Sequence, residues 1–150
     1  MSINYYKDVK QIPKITGLVL GIDYSKRNVG IAISNANLVG AMPIGVISIK
    51  DYNKRILKIL SIINSYRIEL CVIGMPWRED GLYNDQMSII PNFIRDLQKK
   101  YTGGIFLQDE SMTTVDANFK AYSLDMHGGR NDHFAAALIL ERFLMKYNSR

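Results

Sequence analysis

Cysteine occurs once in this 150-residue chain, at Cys71, and histidine twice, at His127 and His133. A single thiol excludes an intramolecular disulfide. Without a Cys/His cluster or a His-Glu-x-x-His run there is no zinc signature. No serine, histidine and acid stand at a spacing that suggests nucleophilic hydrolysis. No apolar run approaches the roughly 20 residues of a membrane span, so no membrane partner is expected. The opening Met1-Ser2-Ile3-Asn4-Tyr5-Tyr6-Lys7 lacks the basic-then-apolar pattern of a secretory leader. Low-complexity tracts, internal repeats and linker-like stretches are missing as well. Cys71 lies inside Leu70-Cys71-Val72-Ile73 and reads as a buried core thiol, which fits a reducing cytosol and a cytoplasmic location.

What is present describes one globular domain over 1–150. Apolar residues make up 47% and charged residues 22%, a balance that supports a core. The formal charge is +5. That excess permits a polyanionic partner without demanding one.

Residues 1–14 read as a loose lead-in ending near Pro13. Residues 15–23 and 28–35 are apolar, β-branched runs around a polar turn, the pattern of a hairpin. Residues 43–49 follow as a third strand. Asp51 can cap a helix whose apolar stripe is Ile56, Leu57, Leu60 and Ile63, with Arg67 near its end. Leu70 to Gly74 is a short buried strand, and Met75 to Tyr83 a loop. Residues 84–100 carry Ile89, Ile90, Phe93, Ile94 and Leu97 at helical spacing. Pro91 either sits in the first turn of a helix starting later or kinks one starting earlier. Ile105 to Leu107 is a strand running into Asp109-Glu110. Helices are expected from Thr113 to about Leu124 and from Asp132 to Tyr147, with a Gly-rich loop between them. The order implies an α/β mixed sheet of five strands, an antiparallel trio joined to later parallel strands, flanked by helices.

Ligand sites in such sheets lie at the carboxyl ends of parallel strands. Asp23, Gly74-Met75-Pro76 and Asp109-Glu110 all stand at ends of that kind. Asp23, Glu110 and Asp132 could meet at one sheet edge. Clustered carboxylates repel unless a cation joins them, and all-oxygen donors suit Mg²⁺ or Mn²⁺. A pair of such ions positions water and stabilises a leaving oxygen in phosphodiester cleavage. Plainer readings stand beside this one. Asp23 could open a tight turn, Glu110 could be a solvated strand-end charge, and Asp132 could be an N-cap. Lys26 and Arg27 at the hairpin tip could meet phosphates or belong to a solvated turn. His127 and Arg130 occupy the Gly-rich loop, where substrate contact is conceivable. His133 reads as a helix-surface residue. Trp77 could stack on a base or cover the core edge.

Several of these residues fall into a recognisable order. Leu20-Gly21-Ile22-Asp23-Tyr24 with Gly30-Ile31-Ala32-Ile33-Ser34 resembles the opening LGIDxGxxxxGxAxS of the YqgF/RuvX family. Gly74-Met75-Pro76 before Asp80-Gly81 is similar to its GLP…DG segment. Asp109-Glu110-Ser111-Met112-Thr113-Thr114 with Ala117 matches DERxTTxxA. Asp132, Ala135-Ala136 and Ile139-Leu140 match DxxAAxxIL. The four blocks cover about residues 16–145. The resemblance implies an RNase H-like fold and a nuclease that matures the 5′ end of 16S ribosomal RNA, with resolution of four-way DNA junctions as the alternative. It implies Asp23, Glu110 and Asp132 as catalytic residues holding Mg²⁺ or Mn²⁺, with Lys26, Arg27 and Arg130 on the nucleic-acid backbone. Implied partners are precursor ribosomal RNA, branched DNA and ribosomal precursor particles, met by a monomer or a homodimer. A non-catalytic, nucleic-acid-binding assembly factor on the same fold is the remaining alternative. A sugar-kinase or actin-like ATPase opens similarly but needs a second domain, which this length does not accommodate. The chain departs from the family pattern at Ser25, where a glycine is usual, at Asn35, where an acid is frequent, and at Pro91.

Overall fold

The computed structural model describes residues 4–75, 85–109 and 132–150, without the side chains of 85–88 and 132–133. The expected Thr113–Leu124 helix, the expected Met75–Tyr83 loop apart from Met75, which ends a strand instead, and the candidates Trp77, Glu110, His127 and Arg130 lie outside the described residues.

Strands β1 (Leu18–Tyr24), β2 (Val29–Ser34) and β3 (Ala41–Ile47) are followed by helix α1 (Tyr52–Tyr66) and strand β4 (Ile68–Met75). Helix α2 (Asp85–Gln98), strand β5 (Gly104–Asp109) and helix α3 (Asp132–Asn148) complete the order. One five-stranded sheet runs β3-β2-β1-β4-β5, antiparallel across the first three strands in the chain and parallel from β1 through β4 to β5. This is the mixed α/β sheet that the strand–helix order implied. β1 stands at its centre, apolar on both faces because both are covered. Leu20, Ile22 and Tyr24 face α1 and α2, whereas Val19 faces α3.

Helix α1 begins where Asp51 accepts the Lys54 N–H at 2.9 Å and ends on Arg67 in the left-handed conformation at φ 54°. Its buried stripe differs from the expected one. Arg55, Ile56, Ile59 and Ile63 face inward, while Leu57 is 53% exposed. Helix α2 starts early and carries Pro91 in its interior, which leaves the Met87 carbonyl without its usual helical partner. Strand β3 is an edge strand, where Pro43 is tolerated. A register shift between Ile31 and Ala32 leaves Ile44 unpaired beside Gly45.

The lead-in expected to be loose is tied down from Tyr6 onward. The Tyr6 N–H donates to the Ile105 carbonyl at 2.8 Å and its own carbonyl accepts the Leu107 N–H at 2.9 Å. Further along, Ile12 and Ile15 are buried, and the Ile15 N–H donates to the Tyr147 hydroxyl at 2.8 Å. A composition reading could not see this, because the segment forms one bridge to β5 and no strand of its own. Among the described residues no helix is long and apolar enough to cross a membrane.

Cys71 is fully buried between β1 and β5, and desolvation pushes its thiol up to about 12. The native protein is therefore expected to be inert to a thiol-specific disulfide reagent at neutral pH. Stoichiometric reaction should appear only in guanidinium chloride. Rapid labelling of the folded chain would contradict this packing.

Candidate active site at the carboxyl ends of the parallel strands

Side chains alternate across a strand, so Asp23 shares the α3 face with Val19 and Gly21, and Tyr24 turns to the opposite face. A Cβ on Gly21 would lie 2.8 Å from both the Ala136 carbonyl oxygen and the Leu140 Cβ. Helix α3 therefore rests directly on β1 at this residue. The helix direction is fixed by its far end, where Tyr147 reaches Ile15 just ahead of β1. From Gly21 to Asp23 is two strand residues, about 6.6 Å. From Ala136 back to Asp132 is one helical turn, about 6 Å. Asp132 opens α3 one turn before the Ala136 carbonyl that abuts Gly21, and Asp23 follows Gly21 by two residues on the strand. Asp23 is half-buried there, at the end of its strand.

The same alternation separates the last two residues of β5, Gln108 and Asp109. Ile105 and Leu107 pack with the α1–α2 core and Phe106 with the α3 core. Gln108 therefore lies on the Asp23 face and Asp109 on the other. Gly74 pairs with Gln108 and Met75 with Asp109. Extending the Ile22–Ile73 pairing by one residue brings Asp23 level with Gly74. The last row on the α3 face is thus Asp23, a glycine without a side chain, and Gln108. Gln108 is 2% exposed, its Nε2–H donates to the Asp109 carbonyl at 3.1 Å, and its Oε1 has no hydrogen-bond partner among the described residues. A buried acceptor left unmatched is costly, and a cation or its water shell would satisfy it. An amide oxygen is a hard donor of the kind Mg²⁺ or Mn²⁺ accepts, and this one stands two strands from Asp23 on the same face of the sheet. Among the described residues there is no cluster of three metal-binding side chains. Of the three expected ligands only the Asp23 side chain belongs to them.

Next to Asp23 the hairpin turns through Ser25-Lys26-Arg27-Asn28, with Lys26 and Arg27 exposed as expected of a tip. Ser25 takes the family's glycine position without a positive φ. Its hydroxyl donates to the Asn28 carbonyl at 2.6 Å and accepts the Asn28 N–H at 3.2 Å, reinforcing the backbone bond from the Ser25 N–H to the same carbonyl at 3.1 Å. Asn35 acts locally, where its Oδ1 accepts the Val39 and Gly40 N–H groups and shapes the β2–β3 turn.

Arg55 is the residue that sequence reading missed. It is 5% exposed. Nε–H donates to the Ile49 carbonyl at 3.1 Å, Nη1–H to the Ser25 carbonyl and the Tyr24 hydroxyl at 3.3 Å, and Nη2–H to the Lys26 carbonyl at 2.7 Å. One guanidinium thus pins the turn that follows Asp23 to the entry of α1. Its one signal in the sequence was its position four residues before Ile59, on the helix's own apolar stripe.

Two expected outcomes follow. Arg55→Met should lower stability by about 2–3 kcal/mol in urea denaturation, since it strands three backbone carbonyls. Arg55→Lys should recover part of that loss. Gly21→Ala should cost about 1–3 kcal/mol by forcing α3 off β1, seen as a lower melting temperature. A Gly21→Ala protein as stable as the parent would refute the close approach of α3.

Comparison with known proteins bears on this arrangement. A protein of Rickettsia africae named "Putative pre-16S rRNA nuclease" is 36% identical over 132 residues, covering 84% of each chain. One of the same name from Rickettsia bellii is 32% identical and covers 99% of each. Among solved structures, Thermus thermophilus RuvC superposes with a TM-score of 0.57 at 11% identity, covering 88% of this chain and 95% of that one. The fowlpox virus Holliday junction resolvase superposes with a TM-score of 0.54 at 13% identity, covering 89% and 99%. At such identities the likeness establishes the fold, an RNase H-like sheet. The model of the family described as "RuvX: Holliday junction resolvase" matches residues 17–146, and the chain belongs to that nuclease family.

Proposed function

We propose that this chain is a divalent-metal-dependent endonuclease acting on structured RNA, and that it matures the 5′ end of precursor 16S ribosomal RNA. The observation that carries the reading is the placement of Asp23. It lies next to the last residue of the central strand, on the face covered by α3, the helix that opens with Asp132, while Asp109 turns away. Asp23, Glu110 and Asp132 would hold Mg²⁺ or Mn²⁺, with the Gln108 amide oxygen on the same face. When bound, the metal polarises a phosphoryl oxygen and lowers the pKa of a water. The chain's own part is positional. The half-buried Asp23 carboxylate is held at a strand end, and Lys26 and Arg27 on the pinned tip, with Arg130, meet the substrate backbone.

The RNA substrate is drawn from the relatives' names and the +5 charge. Ribosomal precursor particles in the cytoplasm are the corresponding partners. Resolution of four-way DNA junctions is the second reading, favoured by the family description and the resolvase fold. That reaction needs paired symmetric cuts and so a homodimer; the RNA reaction can be run by a monomer.

Purified protein incubated with precursor 16S RNA and with a four-way DNA junction, with and without Mg²⁺, distinguishes the two. Mg²⁺-dependent cutting of the RNA alone is expected. Asp23→Asn should reduce cleavage by about 10³-fold or more, while RNA affinity in a binding assay stays within about threefold, because that carboxylate is not a phosphate contact. Cleavage by Asp23→Asn at the parent rate would remove Asp23 from the reaction.

A further inference from the structure

On the opposite face of β1 from Asp23 lies a cavity of about 460 Å³ between the hairpin tip, the start of α1 and the middle of α2. Tyr24, the residue directly after Asp23, forms part of its wall. Lys26, Lys50, Arg55 and Arg95 line it, with Asp96 as the acidic member. Asp96 is already engaged: it accepts the Tyr52 hydroxyl at 2.5 Å and pairs with Lys99 at 3.2 Å and Arg95 at 3.6 Å. Arg55 is the second, independent sign. Its guanidinium is buried yet bonded only to carbonyls and a hydroxyl, with no carboxylate within ion-pair distance among the described residues. Buried charges are ordinarily paired. Here hydrogen bonding is satisfied and no carboxylate among the described residues balances the charge, beside a cavity with two more lysines.

We propose that this cavity binds a phosphate of the substrate's sugar–phosphate backbone next to the one being cut. Lys50 and Arg95 are its principal contacts, and Arg55 supplies fixed positive potential from below. The proposal rests on the nuclease reading and adds a second subsite to it. Asp23 and Tyr24 have Cα atoms about 3.8 Å apart and point to opposite faces. A polynucleotide draped over the carboxyl end of β1 therefore meets the acidic site on one side and the basic cavity on the other. Placing the anion pocket away from the carboxylates keeps attraction for the strand separate from the site where negative charge gathers.

The test is binding of a labelled single-stranded RNA to the full chain in EDTA, followed by fluorescence anisotropy across a salt series. Lys50→Glu, at an exposed residue before α1, should weaken binding about tenfold, and Arg95→Gln several-fold. Each should reduce the slope of log affinity against log salt by roughly 0.7, the value for one lost phosphate contact on a single strand. In Mg²⁺, Lys50→Glu should raise KM with kcat within about twofold, the pattern of lost ground-state binding. Unchanged affinity and slope in both variants, with melting temperatures matching the parent, overturn the proposal. A titration with inorganic phosphate alone, read on backbone amides around Tyr52, separates the other source of the same chemistry. Saturable phosphate shifts with undiminished RNA binding by both variants would make the cavity a free-phosphate site and overturn its substrate role. Normal RNA cleavage beside unaltered binding by the variants overturns the cavity alone. Variant-sensitive binding by a parent that cuts no nucleic acid overturns the nuclease reading and leaves the cavity standing.

Discussion

The close approach of α3 to β1 at Gly21 sets the geometry from which the candidate site follows. Any side chain at Gly21 would collide with the Ala136 carbonyl and with Leu140, so the helix axis lies as near the strand as backbones allow. With Tyr147 anchored to Ile15 at the other end, α3 can neither slide nor reverse. Asp132 opens this helix one turn before Ala136, and Asp23 lies two residues beyond Gly21 on the strand. Packing between apolar surfaces thus determines where charge is placed. Interiors are close-packed, and a one-residue shift of this helix would spoil every contact along it.

The hairpin tip depends on a different kind of force. Its backbone carbonyls would otherwise face water, and a mobile tip would leave Asp23 at the edge of a fluctuating turn. Arg55 converts those carbonyls into ligands of one planar, rigid donor. The Tyr24 ring, stacked on Phe93 with centroids 4.1 Å apart, fills the space beneath the guanidinium. Core packing, the buried cation and the turn therefore form one connected unit. The Tyr52–Asp96 hydrogen bond closes the same region between α1 and α2. It holds the Asp96 carboxyl below its usual range, while desolvation, with Asp96 reinforcing it, raises the Tyr52 hydroxyl.

β1 consequently works as a divider. Consecutive residues at its end serve opposite faces, Asp23 the face that carries Gln108 and Tyr24 the face of the basic cavity. The arrangement answers an electrostatic difficulty common to nucleases: the substrate is a polyanion, and the metal-binding groups are anions as well. Attraction supplied from the far side of one strand, the role proposed for the basic cavity, would ease that conflict without placing cations among the carboxylates.

Much of the fold was legible because it is written in local periodicity. Alternating and continuous apolar runs marked the strands, 3.6-residue spacing marked the helices, and Asp51 marked the start of α1, all set by backbone geometry over a few residues. Asp23 at a strand end was legible for the same reason. The inward face of α1 was not, because Leu57 and Ile59 are equally apolar and only the neighbouring sheet chooses between them. Nor was the tether of Tyr6 to β5, a single bridge between distant segments. By itself the sequence determined the order of elements, the parity of each strand and the family motifs. The tertiary structure decided which residues meet: Gln108 on the Asp23 face, Arg55 buried under the tip, and Lys26, Lys50 and Arg95 around one cavity. Those meetings depend on strand order and helix seating, which arise from the packing of the whole chain and have no local period to betray them.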